Sequence, residues 1–120
     1  MSHKAYSRAQ KTNIAPRDAE YNAFAQATRV LMDAEEMGRE NLGELAQALE
    51  KNRALWSLLA SDCASTDNQL PETLRAQIIN LSRWVDNYSR DVLRKAESLE
   101  PLIDINRIMM GGLSERVSEQ

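Results

Sequence analysis

Hydrophobic residues recur at intervals of three and four along most of this chain, a pattern typical of α-helices. In each of two segments, such positions form an unbroken row along one helix face, with spacings that alternate between three and four. The rows consist of Leu42, Leu45, Leu49, Asn52, Trp56 and Leu59, and of Leu74, Ile78, Leu81, Val85, Tyr88 and Val92. Each row can pack against a neighbouring helix, so the two segments predict long amphipathic helices.

Proline and glycine divide the chain into four predicted helices, over residues 16–37, 41–60, 71–97 and 101–111. Pro16 and Pro71 suit first helical positions, and Gly38 and Gly111 are typical of the C-terminal ends of helices. Amphipathic helices joined by short connections pack against one another in sequence order. The pattern therefore predicts an all-α fold, a small antiparallel bundle of about four helices.

The same division predicts how the chain is organised outside the helices. A single helical domain over residues 16–113 is preceded by a flexible basic arm, residues 1–15, and followed by a frayed tail, residues 114–120. Residues 61–69 are polar and without periodicity, which predicts a loop. Cys63 falls in this predicted loop, so we expect that neither folding nor partner binding depends on it.

Composition supports helices and excludes several kinds of active site. Only four glycines, three prolines and 5% aromatic residues are present among 120, which disfavours a β-sandwich or barrel. With one cysteine and one histidine, no internal disulfide and no Cys/His zinc site can form. A catalytic triad would depend on His3, in the arm predicted to be flexible. We therefore expect a protein that is not an enzyme and that binds no cofactor or metal.

Charge argues against nucleic acid as the partner. The net charge is −3 and the isoelectric point is about 5.2, and the only acid-free basic stretch is the N-terminal arm. Arg83, Arg90 and Arg94 align on the third predicted helix, but Asp86 and Asp91 interrupt them. Phosphate binding needs clustered basic side chains, so direct RNA binding is the weaker interpretation. No stretch resembles a signal peptide or a membrane span, and we expect a cytoplasmic protein.

Apolar side chains surround nearly the whole circumference of the fourth predicted helix. They are Leu102, Ile103, Ile105, Ile108, Met109, Met110 and Leu113. Such a helix is either surrounded by its own protein or covered by a partner. Its spacing places Ile103, Arg107 and Met110 on the side away from the bundle, where a partner helix could lie. Trp84 on the third helix is a further candidate for an interface anchor.

Two asparagines lie among the apolar rows, and we expect both to be structural. Asn52 belongs to the row of the second helix, and Asn106 shares a predicted inward face with Ile105 and Met109. A buried amide without hydrogen bonds costs about 1–3 kcal/mol, so both side chains need partners. We expect Asn106 to bond inside the bundle with Asn52 or Arg53.

Four motifs, taken in order and spacing, resemble the FlaF family of flagellar biosynthesis regulators. They are Ala15-Pro16-Arg17-Asp18-Ala19-Glu20, Ala48-Leu49-Glu50-Lys51-Asn52-Arg53-Ala54-Leu55-Trp56, Leu70-Pro71-Glu72-Thr73-Leu74-Arg75, and Leu102-Ile103-Asp104-Ile105-Asn106-Arg107 with Gly111-Gly112-Leu113. The resemblance extends from about Tyr6 to Leu113. It implies a cytoplasmic, non-enzymatic protein that binds flagellin as a secretion chaperone.

The resemblance also implies a function alongside the regulator FlbT, in promoting flagellin synthesis and filament assembly. Flagellin ends in amphipathic helices, for which contact between a helix and an apolar groove is the expected mode. The alternative is a post-transcriptional regulator that binds flagellin mRNA, and this would need a basic surface.

Overall fold

The computed structural model describes residues 16–118, which form four α-helices without any strand. The helices are α1 (Pro16–Met37), α2 (Leu42–Ala64), α3 (Glu72–Lys95) and α4 (Glu100–Ser118). The predicted all-α fold, a small helical bundle, is confirmed. The predicted flexible arm, residues 1–15, lies outside the described residues.

The helices are joined in antiparallel pairs. α2 packs against both α1 and α3, and α1 also packs against α4. A hydrogen bond from Arg75 to the backbone oxygen of Cys63 joins the start of α3 to the end of α2. A second, from the N–H of Leu99 to Glu35, joins the segment before α4 to the end of α1. The resulting body measures 44 × 27 × 26 Å.

Large apolar side chains from all four helices fill the interior. Phe24 of α1 and Trp56 of α2 meet edge to face, with ring centroids 5.4 Å apart, a geometry that aromatic pairs favour. Val85 of α3 and Leu102 of α4 are fully buried in the same cluster. Trp56 and Val85 come from the two rows that the three- and four-residue spacing identifies, so the hydrophobic pattern positions much of this core.

Gly38 ends the first helix at the predicted place. Its φ of 76° is left-handed, a conformation that costs glycine little because it has no Cβ, and its N–H bonds to the oxygen of Ala34. α1 therefore has the predicted bounds. Ala96 takes the equivalent position after α3 with a φ of 58°, although it does carry a Cβ.

The predicted loop over residues 61–69 begins too early, and the placement of Cys63 in that loop is wrong. α2 continues to Ala64, and the Cys63 side chain is 1% exposed in the core. Cys63 lies four residues after Leu59 and so extends the apolar row of α2 by one more position. The polar residues Ser61 and Asp62, which suggested a loop, occupy the more accessible side of the same turn.

Gly111 does not end the fourth helix, which also corrects the predicted tail. α4 runs through Gly111 and Gly112 to Ser118, so most of the segment 114–120 is helical. Gly38 is the one described glycine with a positive φ, and the paired glycines keep the helical path. A glycine inside a helix costs about 1 kcal/mol relative to alanine, which weakens a helix without breaking it.

Candidate functional site

A chain of three buried polar side chains crosses the bundle from α2 to α4. The indole N–H of Trp56 donates to Oδ1 of Asn106 at 2.8 Å, and Nδ2 of Asn106 donates to Oδ1 of Asn52 at 2.8 Å. All three side chains are fully buried. The predicted bond between Asn106 and Asn52 is present, and it connects two helices that are not sequence neighbours.

The direction of each bond in this chain follows from the chemistry of Trp56. An indole N–H can only donate, so Asn106 must turn its oxygen toward Trp56 and its amino group toward Asn52. Asn52 then accepts with its own oxygen, and its amino group is left without a partner among the described residues. Asn106 is therefore the central member of the network, and Asn52 is the terminal one.

Arg53 takes no part in this network, contrary to one of the predicted pairings. Its guanidinium donates to Oδ1 of Asp86 on α3 at 2.9 and 2.6 Å, and Asp86 also pairs with Arg90 at 2.7 Å. Arg53 thus joins α2 to α3 at the half-buried edge of their interface. It is a structural residue, as expected, but it stabilises a different pair of helices.

One flank of α3 carries apolar side chains that α2 does not cover. Contacts with α2 run through Arg75, Asp86 and Ser82, which lie along the other flank. Leu81, Trp84 and Tyr88 follow at spacings of three and four on the uncovered flank; these three residues form the α3 wall. Trp84 is the most exposed of the three, at 39%, and its ring stacks on that of Tyr88 with centroids 5.1 Å apart.

Like α3, α4 has a flank with apolar side chains that its closely packed neighbour, here α1, does not cover. Its contacts with α1 run through Arg107, whose guanidinium approaches Sδ of Met32, and through Met110. The side of α4 away from α1 carries Ile105, Ile108 and Met109, which form the α4 wall. Ile108 is 68% exposed, the most exposed of the large described apolar side chains.

The two walls lie on either side of an apolar groove, which we name the α3–α4 groove. The Tyr88 hydroxyl donates to the backbone oxygen of Ser98 at 2.7 Å, so the α3 wall faces the start of α4. Within the described residues, the close helix packing joins α1 to α2 and α4, and α2 to α3, but not α3 to α4. The groove is therefore the side of the bundle at which α3 and α4 do not pack closely on each other.

The structure corrects the predicted partner surface on α4. Ile103 is 6% exposed and packs in the core, and Met110 is half-buried on the α1 side, so neither lies on an outward apolar face. Arg107 is exposed as predicted, beside Met32. To assign the two faces of α4, one must know its rotation about its own axis. Apolar side chains surround nearly the whole helix, so the sequence does not indicate this rotation. The outward apolar residue missed by the sequence is Ile108 of the α4 wall, whereas Ile105 and Met109 are half-buried and pack against the core.

Hydrogen bonds fix the connection between α3 and α4 at one end of the groove. The carboxylate of Glu35 accepts from the Ser98 hydroxyl at 2.8 Å and from the N–H of Leu99 at 3.1 Å. Burial, helped by the negative charges of Glu97 and Glu35, raises the pKa of Tyr88 above its ordinary value of 10.0. The Tyr88 hydroxyl therefore stays protonated and able to donate to Ser98 at neutral pH.

A cavity of about 300 Å³ lies at this same end of the bundle, where the ends of α1 and α3 meet the start of α4. Of its charged lining residues, Arg39 donates to the backbone oxygen of Val92 at 2.9 Å, and Glu35 accepts the two bonds described above. These bonds connect the ends of α1 and α3 to the segment before α4, so the polar groups that line the cavity stabilise this connection.

The described residues contain no group of three or more His, Cys, Asp or Glu side chains that could hold a metal ion. None of the four described helices is long and apolar enough to cross a membrane.

Comparison with known proteins connects this geometry to a family. No curated protein and no solved structure matches the chain significantly. The family model described as flagellar protein FlaF matches residues 2–113, which include all of α1 to α3 and the part of α4 that carries both the buried Asn106 and the α4 wall. The chain belongs to the FlaF family of flagellar proteins.

Proposed function

We propose that this protein binds flagellin as a secretion chaperone in the cytoplasm, and that it acts by binding and not by catalysis. In this role it promotes flagellin synthesis and filament assembly alongside the regulator FlbT. Membership of a flagellar family supports a partner in the flagellar system. The observation that carries the proposal is the α3–α4 groove, where Trp84 and Ile108 are exposed beside half-buried apolar neighbours and α3 and α4 do not pack closely on each other.

The proposal has a physical rationale in the partner. Flagellin's amphipathic terminal helices have apolar faces that aggregate or polymerise when they are left exposed. A groove lined by aromatic, isoleucine and methionine side chains can cover such a face, and methionine adapts its shape to different surfaces. Covering the helix keeps flagellin monomeric until it is exported.

Ion pairs on α3 weaken the alternative of direct RNA binding. Asp86 bonds to Arg53 and Arg90, and Asp91 lies 3.5 Å from Arg94. These carboxylates partly neutralise the row of arginines that phosphate groups would otherwise meet. A strong RNA mobility shift that disappears as salt is raised would favour RNA binding over flagellin binding.

Calorimetric titration of the purified protein with its cognate monomeric flagellin tests the proposal. We expect a complex of defined stoichiometry and a negative heat-capacity change, because apolar surface is buried. Flagellin without its terminal helices is the matched control and should not bind. Failure to detect a complex at micromolar concentrations would contradict the proposal.

A further inference from the structure

We infer that the α3–α4 groove accepts a single amphipathic helix of the partner, with a basic residue along the edge that meets α4. This inference rests on the proposed function, which supplies a helical partner, and it adds where the helix binds and which charges it carries.

On the side of the groove, α3 and α4 lack the close packing that the other neighbouring helix pairs have. In a closed four-helix bundle each helix packs against two others, whereas α3 here packs closely on α2, and α4 on α1. From Ile105 to Met109 the α4 wall spans about one turn of helix, roughly 6 Å, and from Leu81 to Tyr88 the α3 wall spans about two turns, roughly 11 Å, at a rise of about 1.5 Å per residue. A partner helix would place apolar residues at positions i, i+3 or i+4, and i+7 between the walls.

Hydrogen bonds connect both walls of the groove to the rest of the bundle. Asn106, which carries the polar network, lies one residue from Ile105 and two from Ile108, so the network that ties α4 to α2 also fixes the orientation of the α4 wall. At the other wall, the Tyr88 hydroxyl holds α3 to the connection before α4. A preformed groove binds a helix with less ordering cost than a flexible surface.

Exposed carboxylates along the rim of the groove, beside the α4 wall, indicate which charge a partner helix would carry there. Glu100 and Asp104 precede Ile108 at four-residue spacing, so the three side chains form one row along the outer edge of the wall. Both carboxylates are exposed, and in the described part of the chain neither forms an ion pair. A lysine or arginine beside the apolar stripe of the partner helix would complement this row and would fix the direction in which the helix lies.

Variants of the two groove walls and of the rim test the inference by calorimetric titration with monomeric flagellin. Ile108→Asp should lower the affinity by about tenfold or more, because a charge would have to be desolvated in the contact. Trp84→Ala should lower it by a similar factor, because large aromatic anchors carry much of the energy of such interfaces. Asp104→Lys should lower it by roughly fivefold, with a loss that shrinks as salt screens the charges.

Matched controls use the outer faces of α1 and α2. Leu58 of α2 is 56% exposed, so Leu58→Asp places the same charge on an exposed leucine outside the groove. Asp33→Lys on α1 repeats the charge reversal of Asp104→Lys at another exposed aspartate. Both controls should bind flagellin as the unmodified protein does, and circular dichroism should show the same helix content for all five variants.

The outcomes separate this inference from the proposed function. If the unmodified protein binds flagellin and the groove variants bind equally well, the groove assignment is wrong while flagellin binding stands. If the unmodified protein binds no flagellin, both are wrong. If light scattering shows a dimer that Trp84→Ala or Ile108→Asp converts to a monomer, a second copy of this chain occupies the groove, which also overturns the inference.

Discussion

Replacing Asn106 with alanine should destabilise the protein more than replacing Asn52, the other asparagine of its polar network. The substitution removes the acceptor of the Trp56 indole N–H and the donor to Asn52, both at 2.8 Å in a fully buried site. Each buried polar group left without a partner costs about 1–3 kcal/mol. With two such groups orphaned, we expect the free energy of unfolding to fall by about 3–4 kcal/mol.

Replacing Asn52 with alanine is the matched comparison, because it removes the terminal member of the same network. The amino group of Asn52 already lacks a partner, so its removal relieves an existing cost. Only the amino group of Asn106 is then newly orphaned, and the bond from Trp56 survives. We expect a loss of about 1–2 kcal/mol, less than for Asn106→Ala.

Urea denaturation followed by circular dichroism measures both losses, and the slope of the transition should remain unchanged. The double variant should lose less than the sum of the single variants, because the bond between the two asparagines can be lost only once. If Asn52→Ala costs as much as Asn106→Ala, the order of donors and acceptors along the network is wrong. A loss below about 1 kcal/mol for Asn106→Ala would show that the network does not stabilise the fold.

Three further substitutions test the helix ends and the core. Cys63→Ser should lower the free energy of unfolding by about 1–3 kcal/mol in urea denaturation, because it places a hydroxyl in an apolar site, and an unchanged midpoint would contradict the burial of this residue. Ala96→Gly should raise it by about 0.5–1 kcal/mol, because glycine adopts a φ of 58° without strain, and a loss of stability would contradict this reasoning. Tyr88→Phe should cost about 1 kcal/mol at neutral pH. The folded protein raises the Tyr88 pKa, so this contribution is complete below pH 10.0 and disappears as the pH rises through the raised value; thermal unfolding of both proteins at neutral and alkaline pH should show the difference narrowing.

Periodicity was sufficient to predict the helices and most of the core. The apolar rows of α2 and α3 place Trp56 and Val85 inside, and Gly38 ends α1 where its freedom at positive φ suggests. The sequence predicts the ends of α2 and α4 less well, because polar residues and glycines are ordinarily stop signals for helices. Helix packing overrides both signals: Cys63 holds the last turn of α2 in the core, and Gly111 continues a helix that packs on α1.

The polar network was partly predictable, and the outward surface of α4 was not. An asparagine within an apolar row must find a buried partner, which was enough to pair Asn106 with Asn52. Whether Trp56 also bonds to Asn106 depends on how far α2 and α4 are shifted relative to each other along their axes. No local sequence pattern indicates that shift. Ile108 is exposed because α1 packs on another side of α4. Apolar residues surround nearly the whole helix, so the sequence does not indicate which side that is.

Nuclear magnetic resonance offers the most direct test of the account, because the chain has two tryptophans in contrasting places. The Trp84 indole lies in the α3 wall of the groove, whereas the Trp56 indole N–H is buried and bonded to Asn106. On titration with monomeric flagellin, the indole N–H signal of Trp84 and the methyl signals of Ile108 should shift, and the indole signal of Trp56 should keep its position. If a complex forms while the signals of Trp84 and Ile108 remain unchanged, the partner binds elsewhere and the groove is not the functional site.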